Sequence, residues 1–147
     1  MVYESTSPTR TESIAADLAR GLAPGAVLAL HGQLGAGKTQ FVRGLVAGVS
    51  ASPRAVSSPT YVLLNVYDGG RLTVYHLDAY RVHGPDDFEA IGFPELLEQG
   101  GVVVVEWADR VADLLPENTT HVHIEHVGPK SRRIRIEGAP TAPAMNH

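Results

Sequence analysis

Apolar residues recur at helical spacing near the start of the chain. Ile14, Ala15, Leu18, Ala19 and Leu22 share one face, and Thr9 with Glu12 fits a capping box ahead of them. Gly21 and the turn signal Pro24-Gly25 mark the stop. Ala26 to Leu30 is then a short unbroken apolar run, as expected of a strand buried on both faces. A polar, glycine-rich stretch, HGQLGAGKTQF at 31–41, leads into Phe41, Val42, Leu45, Val46 and Val49, which mark one face of a second helix. Residues 50–58 are rich in Ser, Pro and Ala and read as a loop. Tyr61 to Tyr67 and Arg71 to Leu77 flank Asp68-Gly69-Gly70, a hairpin signal. Pro85 to Ile91 and Pro94 to Gln99 read as short helices with proline in the first turn. Val102 to Val105, four β-branched residues after two glycines, predict a central strand. Asp109 to Leu115 reads as helical, stopping before Pro116. His121 to Val127 and Arg132 to Glu137 close the pattern as a hairpin around Gly128-Pro129.

Helices alternate with strands in the middle of this series, while the hairpins require antiparallel pairs. The pattern predicts an α/β sandwich with a mixed central β-sheet flanked by helices. Residues 1–8 are expected as a flexible N-terminus, 9–137 as one domain, and 138–147 (GAPTAPAMNH) as a disordered tail. A length of 147 residues suits one domain with a single core. The absence of cysteine excludes a disulfide scaffold and thiolate metal sites. A net charge of −4 argues against the chain gripping nucleic acid phosphates unaided. No apolar stretch approaches the roughly 18 residues of a membrane span, and the start shows no secretory pattern. A cytoplasmic protein is the expectation.

The glycine-rich stretch carries the clearest chemistry. Gly32 to Thr39, GQLGAGKT, matches G-x-x-x-x-G-K-[ST] between a buried strand and a helix, the context a phosphate-binding P-loop requires. Glycine lets so small a loop turn its backbone N–H groups inward around a phosphate. The following helix adds unpaired N–H groups and the positive end of its dipole. Gly32, Gln33, Leu34, Gly35, Ala36, Gly37, Lys38, Thr39 and Gln40 are therefore the expected nucleotide cradle. Lys38 is placed to meet the β- and γ-phosphates and the Thr39 hydroxyl to ligate Mg²⁺. The expected fold is accordingly P-loop NTPase-like, with ATP and Mg²⁺ as cofactors.

Hydrolysis needs a carboxylate near the metal and a group that positions water. Asp78 ends the second hairpin strand, and Glu106 follows the valine run directly, with Trp107 beside it. Thr60, in SSPTY, could add a hydroxyl as a switch threonine does. Trp107 reads equally as core packing or as a functional aromatic. His121 and His123 share a strand face and His126 falls on the other; without supporting acids they read as a polar face, not a metal site. Arg132, Arg133 and Arg135 read as a solvated edge that discourages strand aggregation, with a contact surface for a partner or tRNA as the alternative.

With these residues placed, the chain resembles the bacterial TsaE (YjeE) family. The matching segments are LGAGKT at 34–39, SPTY at 58–61, YHLDAYR at 75–81 and VVEW at 104–107, and the resemblance covers roughly Thr9 to Glu137. It implies an ATPase of tRNA threonylcarbamoyladenosine biosynthesis. Such an ATPase acts with the two other proteins of the transferase complex, and reaches tRNA indirectly through that complex. Carried over, Lys38 binds phosphate, Thr39 binds Mg²⁺, Thr60 is switch-like and Asp78 is the metal-side acid. Glu106 orients water or completes the metal shell, beside Trp107. Gln33 departs from the acidic residue usual at that place in the family's P-loop; an amide keeps the hydrogen bonds and loses a charge. The alternatives are a small-molecule P-loop kinase and a nucleotide-dependent binding module with little hydrolysis. The first would need an acceptor pocket and usually an arginine-bearing lid. In the second, both carboxylates would be structural.

Overall fold

The computed structural model describes residues 1–32, 36–51, 64–79 and 92–138. Seven strands make one sheet: β1 (Val2–Ser5), β2 (Val27–His31), β3 (Leu64–Tyr67), β4 (Val74–Asp78), β5 (Val102–Glu106), β6 (Thr120–His126) and β7 (Arg132–Glu137). Their spatial order is β1-β7-β6-β2-β5-β4-β3. The central four, β6, β2, β5 and β4, run parallel, and β1, β7 and β3 pair antiparallel. The mixed α/β sheet expected from the pattern is therefore present.

The unbroken apolar runs of β2 and β5 arise because both strands are covered on both faces. Leu28, Leu30, Val102 and Val104 pack under α1 (Pro8–Arg20) and α2 (Lys38–Gly48). Val27, Ala29, Val103 and Val105 pack with Phe93 of the short helix α3 (Phe93–Leu97) and Val111 of a 3₁₀ segment, Ala108–Leu114. α1 and α2 approach through Gly44 and Gly48. A Cβ on Gly44 would lie 2.2 Å from the Glu12 carbonyl oxygen, and one on Gly48 would lie 2.6 Å from that of Ala16. Gly44→Ala gains about 0.5–1 kcal/mol of helix propensity. The backbone clash outweighs that gain, since overpacking costs about 1–3 kcal/mol. The variant should therefore unfold at lower urea concentration, and an unchanged midpoint would show that the two helices part without cost.

Several boundaries differ from the sequence expectation, each for a non-local reason. Val2–Ser5, within the stretch expected to be flexible, is a strand because β7 supplies its partner, with Glu4 opposite Arg133 and Val2 opposite Arg135. β7 is consequently not an edge, which corrects the solvated-edge reading of its arginines. Helix α1 is capped by Ser7, whose hydroxyl accepts from the Arg10 amide at 3.1 Å; the Thr9–Glu12 box is not the cap. Pro8 takes the first helical position, where its missing N–H costs nothing. The second hairpin strand begins at Val74, not at Arg71. Arg71 instead donates to the carbonyls of Ala19 and Leu22, closing the C-terminal end of α1. The helix expected at Asp109–Leu115 is a 3₁₀ segment kinked at Val111. Gln33, Leu34, Gly35, the 52–58 part of the loop, Thr60, the start of the first hairpin strand, the helix at Pro85–Ile91 and the tail from 139 lie outside the described residues.

Candidate functional site

In parallel sheets, ligands gather at the carboxyl ends of the strands, and β2, β4 and β5 all end on one side here. β2 runs into the glycine stretch, and α2 starts from Gly37, which holds a left-handed backbone at φ 112°. A Cβ on Gly32 would stand 2.6 Å from the Ile124 carbonyl oxygen of β6. Both positions therefore require glycine for backbone reasons. Lys38 is the first residue of α2 and is buried; Thr39 and Gln40 follow it half-buried, and Ala36 is buried before it. Arg132 of β7 donates from Nε to the Ala36 carbonyl at 2.9 Å, tying the far strand to this loop.

Asp78 and Glu106 lie side by side in register at the ends of β4 and β5, each only 6% exposed. By strand alternation they share the α2 face of the sheet with His76, Val74, Val102 and Val104. Lys38 Nζ is 3.8 Å from Glu106 Oε1 and stands 4.2 Å from the centroid of the Trp107 ring, a cation–π distance. Trp107 holds a left-handed backbone (φ 58°, ψ 40°), unusual for so large a residue and common where strain serves a site. His76 is fully buried, and its Nε2 lies 2.5 Å from Glu106 Oε2. The site thus presents two buried carboxylates, one buried lysine and a helix N-terminus. Asp78, Glu106 and Thr39 carry the hard oxygen donors that could hold Mg²⁺.

Among the described residues, cavities border Gly32, Ala36 and Gly37. One of about 550 Å³ is lined by Thr6, Ser7, Thr11, Gly37, Gln40 and Arg132, among others. A second of about 360 Å³ lies between Leu30, His31, Gly32 and Trp107. A third of about 390 Å³ is bordered by His31, Ala36, His123, His126 and Arg135. His31, at the end of β2, stacks on His121 and His123 of β6, with ring centroids at 5.2 and 4.6 Å, and its Nε2 lies 3.0 Å from His121 Nδ1. Burial, and then the Arg135 charge, lower the pKa of His123 against the opposing pull of Glu137. Among the described residues no group of three His, Asp or Glu side chains could hold a metal ion. Arg133 is paired with Glu4, and Arg135 with Glu137, each at 2.9 Å.

Of the residues singled out in the sequence, Gly32, Ala36, Gly37, Lys38, Thr39 and Gln40 lie at one strand–helix junction, and Asp78, Glu106 and Trp107 at the ends of β4 and β5 beside it. Four further residues went unrecognised there. His76 alternates with Asp78 along β4, a local signal that could have marked it. Arg132, Ser7 and Thr11 meet the site only through distant pairing, and no local signal announces them.

The family model for "Threonylcarbamoyl adenosine biosynthesis protein TsaE" matches residues 5–134. A tRNA threonylcarbamoyladenosine biosynthesis protein TsaE from Treponema pallidum is 44% identical over 117 residues, covering 80% of this chain and 85% of that protein. Its counterpart from Bacillus subtilis is 37% identical over 132 residues, covering 90% and 82%. The crystal structure of Bacillus subtilis YdiB superposes with a TM-score of 0.75 at 31% identity, covering 91% of this chain and 82% of that one.

Proposed function

The chain belongs to the TsaE family, and from that premise we propose that it is a P-loop ATPase of tRNA threonylcarbamoyladenosine biosynthesis. It binds ATP and Mg²⁺ and works with the two other proteins that transfer the threonylcarbamoyl group to the adenosine beside the anticodon of ANN-decoding tRNAs. The observation that carries this reading is Lys38, buried at the start of α2 and facing Glu106 at 3.8 Å with Asp78 in register beside it.

The N-terminus of α2 would hold the phosphates, because its free N–H groups and the helix dipole favour anions. Lys38 leaves Glu106 for the β- and γ-phosphates, and the Trp107 ring supports its stem and charge on the way. Asp78 and Thr39 would hold Mg²⁺, with Glu106 as a further candidate ligand; the ion would neutralise charge that builds on the transferring phosphoryl group. Glu106 turns a water towards the γ-phosphate, work that is mainly positioning. The carboxylates lie on the Trp107 side of Lys38, so the nucleoside would extend to the other side. There the cavity of about 550 Å³ offers Ser7, Thr11, Gln40 and Arg132 as polar partners.

Cells depleted of this chain should lose threonylcarbamoyladenosine from their tRNA, read by mass spectrometry of the nucleosides, and regain it on complementation. An unchanged level would overturn the reading. In the assembled complex, EDTA should bring ATP turnover to background, whereas turnover without Mg²⁺ would remove Asp78 and Thr39 as metal ligands.

A further inference from the structure

Glu106 is held from two sides. Lys38 faces Oε1 at 3.8 Å, and His76 meets Oε2 at 2.5 Å. Resting on the reading of Glu106 as the water-orienting acid, we propose that His76 is its positioning residue, the group that keeps the carboxylate aimed once phosphate has taken Lys38. A carboxylate paired with lysine accepts only, so the His76 Nε2–H donates. The other ring nitrogen is the telling one. Nδ1 is buried with no hydrogen-bond partner among the described residues. An unpaired polar atom inside an apolar core costs stability, and buried polar groups in folded proteins are nearly always satisfied. His76 shares its face with Val74, Val102 and Val104 in the core beneath α1 and α2. Leucine would fill that space without the orphan nitrogen. The contact that repays the imbalance is the one to Glu106.

The geometry explains why the carboxylate needs a second anchor. Glu106 ends its strand, and the chain turns immediately into the left-handed backbone of Trp107. Its backbone is fixed by pairing with β2 and β4, but its side chain has three torsions to settle. In the nucleotide-free arrangement the lysine ion pair and the imidazole share that task. When Lys38 turns to phosphate, one anchor leaves. His76 sits one pleat back on β4, beside Val104, and its hold on Oε2 leaves Oε1 free to face a water. It touches neither nucleotide nor water itself and acts through Glu106.

The experiment compares His76→Leu, His76→Gln and His76→Asn in the assembled complex under saturating ATP. Glutamine carries an N–H near the Nε2 position, whereas the shorter asparagine amide stops near Nδ1. His76→Leu and His76→Asn should lower kcat at least tenfold with KM for ATP within about twofold of wild type. His76→Gln should recover most of that loss. In a Glu106→Gln background His76→Leu should cost nothing further, because the two residues act as one unit. The sole tryptophan, Trp107, gives a readout without turnover: its emission in the nucleotide-free protein should shift in the leucine variant and not in the glutamine variant. Equal losses for glutamine and asparagine, or additive losses with Glu106→Gln, would make His76 a packing residue and overturn the proposal. Wild-type turnover of Glu106→Gln alone would instead overturn the water-orienting role. If His76→Leu does not fold, the glutamine–asparagine pair still decides the question.

Discussion

Lys38→Ala should weaken Mg–ATP binding by about two orders of magnitude, or about 2.7 kcal/mol. In the proposed mechanism the lysine is the side chain at the start of α2 that brings a full positive charge to the phosphates, and charge-assisted hydrogen bonds of this kind are worth about 1.5–3 kcal/mol. The substitution has a second effect. It leaves Glu106, whose side chain is 8% exposed, without its cationic neighbour, and an uncompensated buried charge destabilises the fold. The two effects separate in the double variant. Lys38→Ala with Glu106→Gln should recover part of the urea midpoint, because the Glu106 charge is gone while Asp78 stays buried beside it, and should still bind Mg–ATP weakly. Calorimetric titration of a folded Lys38→Ala variant that gives wild-type affinity would remove the phosphate role.

Glu106→Gln should leave affinity for Mg–ATP little changed and lower turnover in the assembled complex at least tenfold, about 1.4 kcal/mol on the barrier. The amide keeps the shape of the side chain, and its oxygen still accepts from His76 Nε2. What it loses is the charge that, in the proposed mechanism, attracts and orients water. Losing that charge also releases Lys38 from its ion pair, so any change in affinity should favour binding. Turnover is measured with the partner proteins present, since a site of this kind can be completed only on assembly. A variant that hydrolyses ATP at the wild-type rate would make Glu106 structural and move the search to Asp78 or to the partners.

The elements nearest the site were the most legible in the sequence. Ala26 to Leu30 and Val102 to Val105 read as buried strands because their apolar runs have one explanation at that length, and β2 and β5 are indeed the covered centre of the sheet. The helix after the glycine stretch showed its period through Phe41, Val42, Leu45 and Val46, all now buried. Asp78 and Glu106 could be picked out as acids at strand ends, but their lying side by side depends on the register of β4 against β5. β1 was missed because four residues at a terminus show no period, and its partner strand lies some 130 positions away in the chain.

The amino-acid sequence by itself determined the strands and helices at the centre of the sheet, the strand–glycine–helix junction that ends in Lys38, and the two acids at strand ends, because each follows from residues within one or two turns of each other. Tertiary structure alone decided which groups surround them. It brought His76 to Glu106, laid His31 of β2 against His121 and His123 of β6, sent Arg132 to the Ala36 carbonyl, and drew Arg71 out of its strand to close α1. The physical reason is the same in each case. Local backbone preference and hydrophobic period act over a few residues, whereas strand order and register are set by which faces can be buried together across the whole sheet.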